Sequence, residues 1–204
     1  MENQEKIWNK LAESWYNFRN KPEDIIEYFK KKYCVKRGKI IDLGCGNARN
    51  LIPFRDFECY GVDFSDEMLK YARLLAKKHR LDIKLKKDSL EKLSFKDNFF
   101  DYALMLASLH HLENNEKRIS ALKEIYRTLK KDGIAMISVW NRWQLRFLFK
   151  KKDLLIPWKV KDNIYYRYYH LFSYFELRGL LKKVNFKILE SKLYKGNIMF
   201  VVKK

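Results

Sequence analysis

The stretch IDLGCGNARN, residues 41–50, decides the fold. The apolar run that ends at Leu43 predicts a short buried strand, and the residues from Asn50 onward predict the start of a helix. Between them, Gly44 and Gly46 allow a sharp turn and let the backbone approach a ligand with no Cβ in the way. A strand, a glycine-rich turn and a helix in this order indicate the first unit of a parallel α/β sheet.

On both sides of this turn, strand and helix patterns alternate along the chain. Helical spacing predicts helices over 3–18, from Pro22 to about residue 33, over 66–79 with Ser65 as N-cap, over 115–130 and over 174–184. Further strands are predicted for ECYGVD, DIKLKK, FFDYALML and GIAMISVW, and a final β-hairpin turning at Gly196-Asn197.

These patterns predict an α/β fold: a Rossmann-like, seven-stranded, mostly parallel sheet with helices on both faces. We expect the C-terminal antiparallel hairpin to complete this sheet, and an irregular insertion to follow the fifth strand. Residues 1–204 are interpreted as one domain, with N-terminal helices over 1–35 and a substrate-side insertion over 141–172.

Composition limits the class of protein. The chain has 204 residues, of which 47% are hydrophobic and 34% charged, as expected for a globular protein. No apolar run reaches the roughly 18 residues of a membrane helix, and the first thirty residues resemble no signal peptide. The three cysteines form no CxxC pair, so we expect reduced packing residues, no metal site and a cytoplasmic location.

The net charge of +19 is unevenly distributed. Residues 142–204 contain sixteen Lys or Arg and four Asp or Glu, a net +12. Such a charge attracts polyanions, although a lysine-rich solvated surface is an alternative. The aromatic stretch DLLIPWKVKDNIYYRYYHLF, residues 153–172, lies within this basic third and favours a nucleic-acid partner.

Acidic residues near the glycine turn indicate the ligand. Asp63 ends the next strand, seventeen residues after Gly46, where a carboxylate can accept hydrogen bonds from both ribose hydroxyls of an adenosine. The sequence has no GxGxxG or Gly-Lys-Ser/Thr pyrophosphate cradle, and Asp42 suits a cation such as the ammonium of S-adenosylmethionine (SAM). Asp88 and the Ser89 amide follow the third strand, where they could contact the adenine.

Four motifs occur in a characteristic order and spacing: IDLGCGN, GVDFS, KKDSLEKLSF and FDYALMLASLHHL. With them, residues 39–140 resemble the class I SAM-dependent methyltransferases. The resemblance implies SAM as cofactor and S-adenosyl-L-homocysteine as product. One departure is Ala48, which stands where relatives often have a third glycine. The cofactor-binding residues implied are Asp42, Gly44, Gly46, Asn47, Asp63, Phe64, Asp88, Ser89 and Leu106.

The segment SLHHL brings two histidines to the carboxyl edge of the sheet, where α/β folds bind ligands. His110 is the preferred candidate to orient or deprotonate the acceptor, although His111 and a packing role for either remain open. The sequence has no Asp/Asn-Pro-Pro-Tyr/Phe motif after the fourth strand and no cysteine placed for attack on a pyrimidine carbon.

Four further motifs are present: DLLIPWKV, RYYHLF, NFRNKP and VW. They resemble motifs of the tRNA methyltransferases that esterify 5-carboxymethyluridine at the anticodon wobble position. The resemblance implies that Arg19 and His110 lie near the acceptor, and that residues 150–152 and Trp158 lie nearer the RNA. A substrate-side wall is implied for Arg167, Tyr169 and His170. Relatives commonly work with a small zinc-ribbon activating subunit that pairs with a sheet edge, so a heterodimer is implied as well.

The residue types suit this chemistry. A carboxylate with a pKa of about 4 is ionised at pH 7 and needs alignment rather than a base. An Arg fork can supply that alignment, and we expect Arg19 to do so. The alternatives are a small-molecule O- or N-methyltransferase of the same fold, and an RNA-binding protein that holds SAM without turnover.

Overall fold

A mostly parallel β-sheet forms the centre of the protein, for which a computed structural model describes residues 3–204. The strands are β1 (Lys39–Leu43), β2 (Glu58–Asp63), β3 (Ile83–Lys87), β4 (Phe100–Leu106), β5 (Leu129–Trp140), β6 (Asp153–Val160), β7 (Asn163–His170), β8 (Lys187–Tyr194) and β9 (Asn197–Lys203). Seven of them form the sheet in the order β3-β2-β1-β4-β5-β9-β8, and only the β5–β9 and β9–β8 pairs are antiparallel. The predicted Rossmann-like sheet with its C-terminal hairpin is confirmed.

Helices cover both faces of this sheet. They are α1 (Gln4–Phe18), α2 (Ile25–Tyr33), α3 (Asp66–His79), α4 (Asn115–Thr128) and α5 (Tyr174–Lys183). Apolar residues of α2 and α3 pack on one face, and those of α4 and α5 pack on the other. The predicted N-cap of α3 is confirmed, because the Ser65 hydroxyl accepts a hydrogen bond from the Met68 amide at 3.1 Å.

The insertion after β5 is largely regular, which corrects the expectation of an irregular segment. Strands β6 and β7 pair as a separate antiparallel hairpin in which Trp158 lies opposite Tyr165. Apolar residues occupy both faces of β6, with Trp158 partly buried and Leu155 exposed, so no polar alternation marks the strand in the sequence.

Two predicted boundaries are wrong by one to three residues, and one predicted helix is a short 3-10 helix. Helix α2 begins at Ile25 rather than Pro22, and residues 49–54 form a 3-10 helix. The C-terminal hairpin turns at Lys195-Gly196, because Tyr194 pairs with Asn197. Both turn residues have positive φ angles, 48° and 80°, which the favoured two-residue hairpin turn requires.

The carboxyl ends of β1, β2 and β4 meet at one edge of the sheet, below α1 and the β6–β7 hairpin. The three cysteines are free and buried. Within residues 3–204, no helix has the length and apolarity needed to cross a membrane. Residues 1 and 2 of the predicted N-terminal segment lie outside the described residues.

Candidate active site

The glycine turn is fixed by backbone hydrogen bonds. The amides of Gly44 and Cys45 both donate to the Val62 carbonyl at 2.9 Å, which joins the end of β1 to the end of β2. Gly44 has a φ of 69°, and a Cβ at this position would lie 2.5 Å from Ser108 Oγ. Gly46 has a φ of 53° but enough space for a Cβ. Any other residue at position 44 would be disfavoured by the positive φ and by the clash of its Cβ, whereas at position 46 only the positive φ disfavours it.

Asp63 is held in one orientation at the end of β2. Its two carboxylate oxygens accept hydrogen bonds from the amides of Gly46 at 2.8 Å and Ser65 at 3.0 Å. Burial raises the pKa of Asp63 to about 6, and these amides oppose the shift. Each oxygen keeps a second lone pair, so the carboxylate can also accept from two ribose hydroxyls.

Two buried acceptors next to the turn have no partner in the described part of the chain. Asp42 Oδ2 and Asn47 Oδ1 are buried without a hydrogen bond, while Asn47 Nδ2 donates to the Arg19 carbonyl at 2.5 Å. Burial raises the pKa of Asp42 to about 7, although the nearby Arg49 opposes this shift. Buried acceptors are nearly always paired, so these oxygens suit a ligand that brings donors, such as an ammonium group.

Helix α1 lies across the glycine turn. Asn9 Oδ1 accepts from the Ser65 hydroxyl at 2.6 Å, and the Trp15 indole nitrogen lies 3.6 Å from where a Cβ of Gly46 would be. Phe64 packs in the same apolar cluster as α1. Helix α1 thus forms one wall of the site beside the carboxylate of Asp63.

The two residues expected at the adenine are engaged in a local turn. Asp88 accepts from the Ser94 amide and hydroxyl, at 2.8 and 2.5 Å, and from the Ser89 amide at 3.1 Å. The Ser89 amide is engaged in this conformation, whereas Asp88 Oδ1 accepts one hydrogen bond and keeps a lone pair for the adenine amine. Leu106 ends β4 and packs, partly buried, against the core.

His110 is a buried neutral donor. Its Nδ1 accepts from the Trp140 amide at 3.2 Å, so the proton of the neutral ring lies on Nε2, which has no partner. Burial, with further contributions from His111 and Arg167, lowers the pKa of His110 well below its usual value. The adjacent His111 points its Nδ1 to the Tyr168 carbonyl at 2.9 Å and has a pKa of about 4 because of burial.

Arg167 is a buried cation that has no acidic partner among residues 3–204. It is 4% exposed, donates from Nη1 to the Tyr169 hydroxyl at 2.7 Å, and leaves Nε unpaired. Its guanidinium lies 4.7 Å from the Trp158 ring centroid and 5.7 Å from that of Trp8. Burial lowers the pKa of Arg167, yet a guanidinium remains charged in proteins.

Tyr169 joins Arg167 to His110. Its ring centroid is 4.9 Å from that of His110, and it stacks on Trp140 at 4.1 Å with an interplanar angle of 18°. Burial raises the pKa of Tyr169 to about 12, so its hydroxyl stays protonated at neutral pH. Three of the residues predicted for the acceptor side therefore form one buried cluster.

Three other predicted positions differ from expectation. Both ring nitrogens of His170 contact carboxylates, those of Asp153 and Glu176 at 2.8 Å, so no ring atom remains for a substrate. Trp158 does not face outward, because its indole N–H donates to Ser14 Oγ of α1 at 3.1 Å. The Arg19 side chain is exposed, with its guanidinium 5.0 Å from the Phe18 ring centroid.

Among residues 3–204, five buried side-chain polar atoms lack a hydrogen-bond partner, and all five surround this site. They are Trp8 Nε1, Asp42 Oδ2, Asn47 Oδ1, His110 Nε2 and Arg167 Nε. Sequence reasoning missed Trp8, whose ring lies 5.0 Å from His111. Trp8 lies one helical turn before Ala12 on the buried face of α1. This spacing could have indicated from the sequence that Trp8 faces the site.

A glycine turn at the first strand, a ribose-directed acid at the second and unpaired acceptors beside them define a nucleoside-binding α/β enzyme site. Residues 41–137 match the family model described as "Methyltransferase domain". The protein is a SAM-dependent methyltransferase, and SAM is its cofactor.

Two curated relatives match over most of their own length. The tRNA (carboxymethyluridine(34)-5-O)-methyltransferase of Schizosaccharomyces pombe is 28% identical over 98% of this chain and 95% of the relative. The carboxy-S-adenosyl-L-methionine synthase of Campylobacter hominis is 29% identical over 76% of this chain and 72% of the relative.

Solved structures share the fold. The PH0226 protein of Pyrococcus horikoshii OT3 superposes with a TM-score of 0.77 at 24% identity, over 96% of this chain and 94% of that one. A Haloferax volcanii putative methyltransferase, solved in complex with the Trm112 methyltransferase activator, gives a TM-score of 0.69 at 16% identity, over 96% of both chains.

Proposed function

We propose that this enzyme transfers the methyl group of SAM to the carboxylate of 5-carboxymethyluridine at the wobble position of a tRNA, forming the methyl ester. The observation that carries the proposal is the buried guanidinium of Arg167, which has no acidic partner among residues 3–204. The Schizosaccharomyces pombe relative, named for this reaction, supports the identity of the substrate.

Burial of the Arg167 cation has an energetic cost. Removing an ion from water costs several kcal/mol even after protein relaxation, so a buried cation calls for an anion beside it. Arg118 is equally buried at 4% exposure, but it has Asp153 at 3.7 Å and accepting oxygens on Leu112 and Tyr168. Arg167 lacks such partners, and a carboxylate on the substrate is the ligand that would complete its environment.

His110 supplies a second donor for the same carboxylate. With Nδ1 engaged by the Trp140 amide, the unpaired Nε2–H can donate but cannot accept a proton. This tautomer removes the base role that the sequence left open. A carboxylate is already ionised at neutral pH, so a neutral donor that aligns it is sufficient.

Bound SAM supplies an activated methyl group on a sulfonium. Around it, Asp42 and Asn47 would accept from the ammonium group, and Asp63 would accept from the ribose. The indoles of Trp8 and Trp15, whose centroids are 5.4 Å apart, would exclude water between the glycine turn and Arg167. Catalysis in this account is mainly orientation in a dry site.

Arg19 receives a different role from the one expected from the sequence. Its carbonyl holds the Asn47 amide at 2.5 Å, while its guanidinium is exposed. We assign the carboxylate contact to Arg167 and a positioning role to the Arg19 backbone, which links the end of α1 to the cofactor turn.

A carboxylate on a small molecule would also satisfy Arg167, and the Campylobacter hominis relative is named as a carboxy-SAM synthase. The net charge of +12 over residues 142–204 favours a polyanionic substrate. Strong inhibition by salt and competition by bulk tRNA distinguish the RNA substrate from a small acid.

We also propose a small zinc-ribbon activating partner, paired with the β3 edge of the sheet. The opposite edge, β8, is held by α2, because Glu190 accepts from the hydroxyls of Tyr28 and Tyr33 at 2.6 Å. Edge strand β3 flanks Asp63 and contacts α3, which carries the exposed Leu74. The solved complex of a fold neighbour with the Trm112 activator supports this partner.

Mass spectrometry of nucleosides tests the proposed reaction. The enzyme is incubated with isotopically labelled SAM and tRNA that contains 5-carboxymethyluridine, and the tRNA is then digested. We expect the labelled methyl only on that nucleoside, and loss of the label on mild alkaline hydrolysis of the ester. Label on another nucleoside, or label stable to alkali, contradicts the proposal.

A further inference from the structure

A basic surface segment leads away from the Arg167 cluster. Residues 142–152, named here the basic strap, contain no Asp or Glu. Their five cationic side chains are those of Arg142, Arg146, Lys150, Lys151 and Lys152. Such a uniform run of one sign attracts a polyanion and repels other basic surfaces.

The backbone of the basic strap is anchored at several points. The Arg142 amide donates to the Phe172 carbonyl at 2.9 Å, and Gln144 Nε2 donates to the Gly196 carbonyl at 2.8 Å. Phe147 is buried and stacks on Trp140 at 5.4 Å. The backbone of the strap is thus held against the body of the protein near residues 142, 144 and 147.

Two aromatic side chains of the strap face solvent. Trp143 is 64% exposed, and Phe149 is fully exposed with a φ of 64°. A bulky residue rarely adopts this left-handed conformation, and such strain is concentrated at functional sites. A surface that served only solubility would carry its charges without exposed large aromatics.

The strap is continuous with the acceptor cluster. The Arg146 guanidinium lies 4.5 Å from the Trp140 ring centroid, and Trp140 stacks on Tyr169, which in turn binds Arg167. A polymer whose one nucleotide contacts Arg167 therefore has this surface directly beside it.

We propose that the basic strap binds the single-stranded RNA that flanks the acceptor nucleotide, with Trp143 and Phe149 each stacking on a base and the cationic side chains contacting phosphates. The inference rests on the proposed function for the identity of the polymer. Aromatic stacking beside a positive track is the physical basis of single-strand recognition, since duplex bases are not available to stack.

The test compares RNA affinities by fluorescence anisotropy without cofactor. The probes are a 17-nucleotide anticodon stem-loop and an RNA duplex of equal charge. The double variant Trp143→Ala/Phe149→Ala is compared with wild type and with Phe175→Ala, which removes a 78% exposed aromatic outside the strap. Stacking at two bases predicts that the double variant binds the stem-loop at least about tenfold more weakly.

The expected result further includes unchanged duplex affinity, unchanged SAM affinity and wild-type behaviour of Phe175→Ala. The proposal is overturned if the double variant binds the stem-loop like wild type, or if its affinities for stem-loop and duplex fall equally. A strap that instead binds anionic vesicles or a protein, with no effect on RNA, also overturns it. Because binding is measured without turnover, absence of carboxymethyluridine methylation would reject the proposed function and leave this result standing.

Discussion

Replacing Arg167 with methionine should make the protein more stable and much less active. The methionine side chain has a similar length and fits the apolar contacts now made with Trp8 and Trp158. The change removes a buried charge that no acidic residue compensates within residues 3–204. Stability and activity should therefore move in opposite directions, as they do where a site is built for its ligand.

The magnitude follows from two opposing contributions. Replacement of buried ionic groups by well-packed apolar ones stabilises by about 1–4 kcal/mol. The lost hydrogen bond to the Tyr169 hydroxyl, 2.7 Å long, offsets about 1 kcal/mol of this. We expect a net gain of up to about 3 kcal/mol, measured by urea unfolding, and a rise in Tm of about 2–4 °C per kcal/mol.

Loss of a desolvated charge contact to the substrate costs about 2–5 kcal/mol. We therefore expect kcat/KM to fall by about 30-fold to several thousandfold, with unchanged affinity for SAM. The activity assay is transfer of labelled methyl to tRNA under single-turnover conditions.

Arg118→Met is the matched control, because Arg118 has the same 4% exposure with its hydrogen bonds satisfied. Leaving the Leu112 carbonyl and the Tyr168 hydroxyl without this donor should destabilise by about 2–4 kcal/mol. If Arg167→Met destabilises as much as Arg118→Met, or keeps wild-type activity, then Arg167 is an ordinary structural residue and the reasoning fails.

Three further predictions concern the cofactor turn and the sheet edge. The pKa of Asp42 is raised to about 7 in the folded protein and is about 4 in the unfolded chain. The free energy of unfolding should therefore fall as pH rises between these values, and it should fall less in the Asp42→Asn variant. A cation bound beside Asp42 lowers that pKa, so SAM binding at pH 6.5 should release protons, seen calorimetrically as a heat that depends on the buffer. Asp42→Asn should release fewer, because only Asp63, with a pKa of about 6, remains to lose a proton. Gly44→Ala should abolish SAM binding because the new Cβ would lie 2.5 Å from Ser108 Oγ. Gly46→Ala should weaken SAM binding less, because there is space for a Cβ at this position. Equal losses of affinity in the two variants would contradict the different roles of the two glycines. Hydrogen exchange of residues 83–87, in β3, should slow when the zinc-ribbon partner binds, while exchange of residues 187–194, in β8, should stay unchanged. Slower exchange of residues 187–194 instead would show that the partner binds at β8.

The sheet was predictable because its determinants are local. The apolar run before Gly44 and the alternation of strand and helix patterns specify the parallel order of β1, β2 and β4. The Ser65 cap is equally local, since its hydroxyl bonds an amide three residues away. The turn at Lys195-Gly196 was missed by one residue because a lysine at positive φ carries no sequence signal.

The acceptor cluster was only partly predictable because its properties depend on residues distant in sequence. The tautomer of His110 is set by the amide of Trp140, thirty residues away. The occupation of both His170 nitrogens depends on Asp153 and Glu176, on two different elements. That Arg167, and not Arg19, is the buried cation follows only from the packing of the hairpin against α1.

The most direct measurement compares two RNAs that differ by one group: a stem-loop with 5-carboxymethyluridine and one with the neutral carbamoylmethyl analogue. Wild-type enzyme with bound S-adenosyl-L-homocysteine should prefer the acid by about 30-fold or more, since a desolvated charge contact is worth at least about 2 kcal/mol. Arg167→Met should bind both RNAs equally. A wild type that does not discriminate, or an Arg167→Met variant that keeps the preference, would contradict recognition of the carboxylate by this guanidinium.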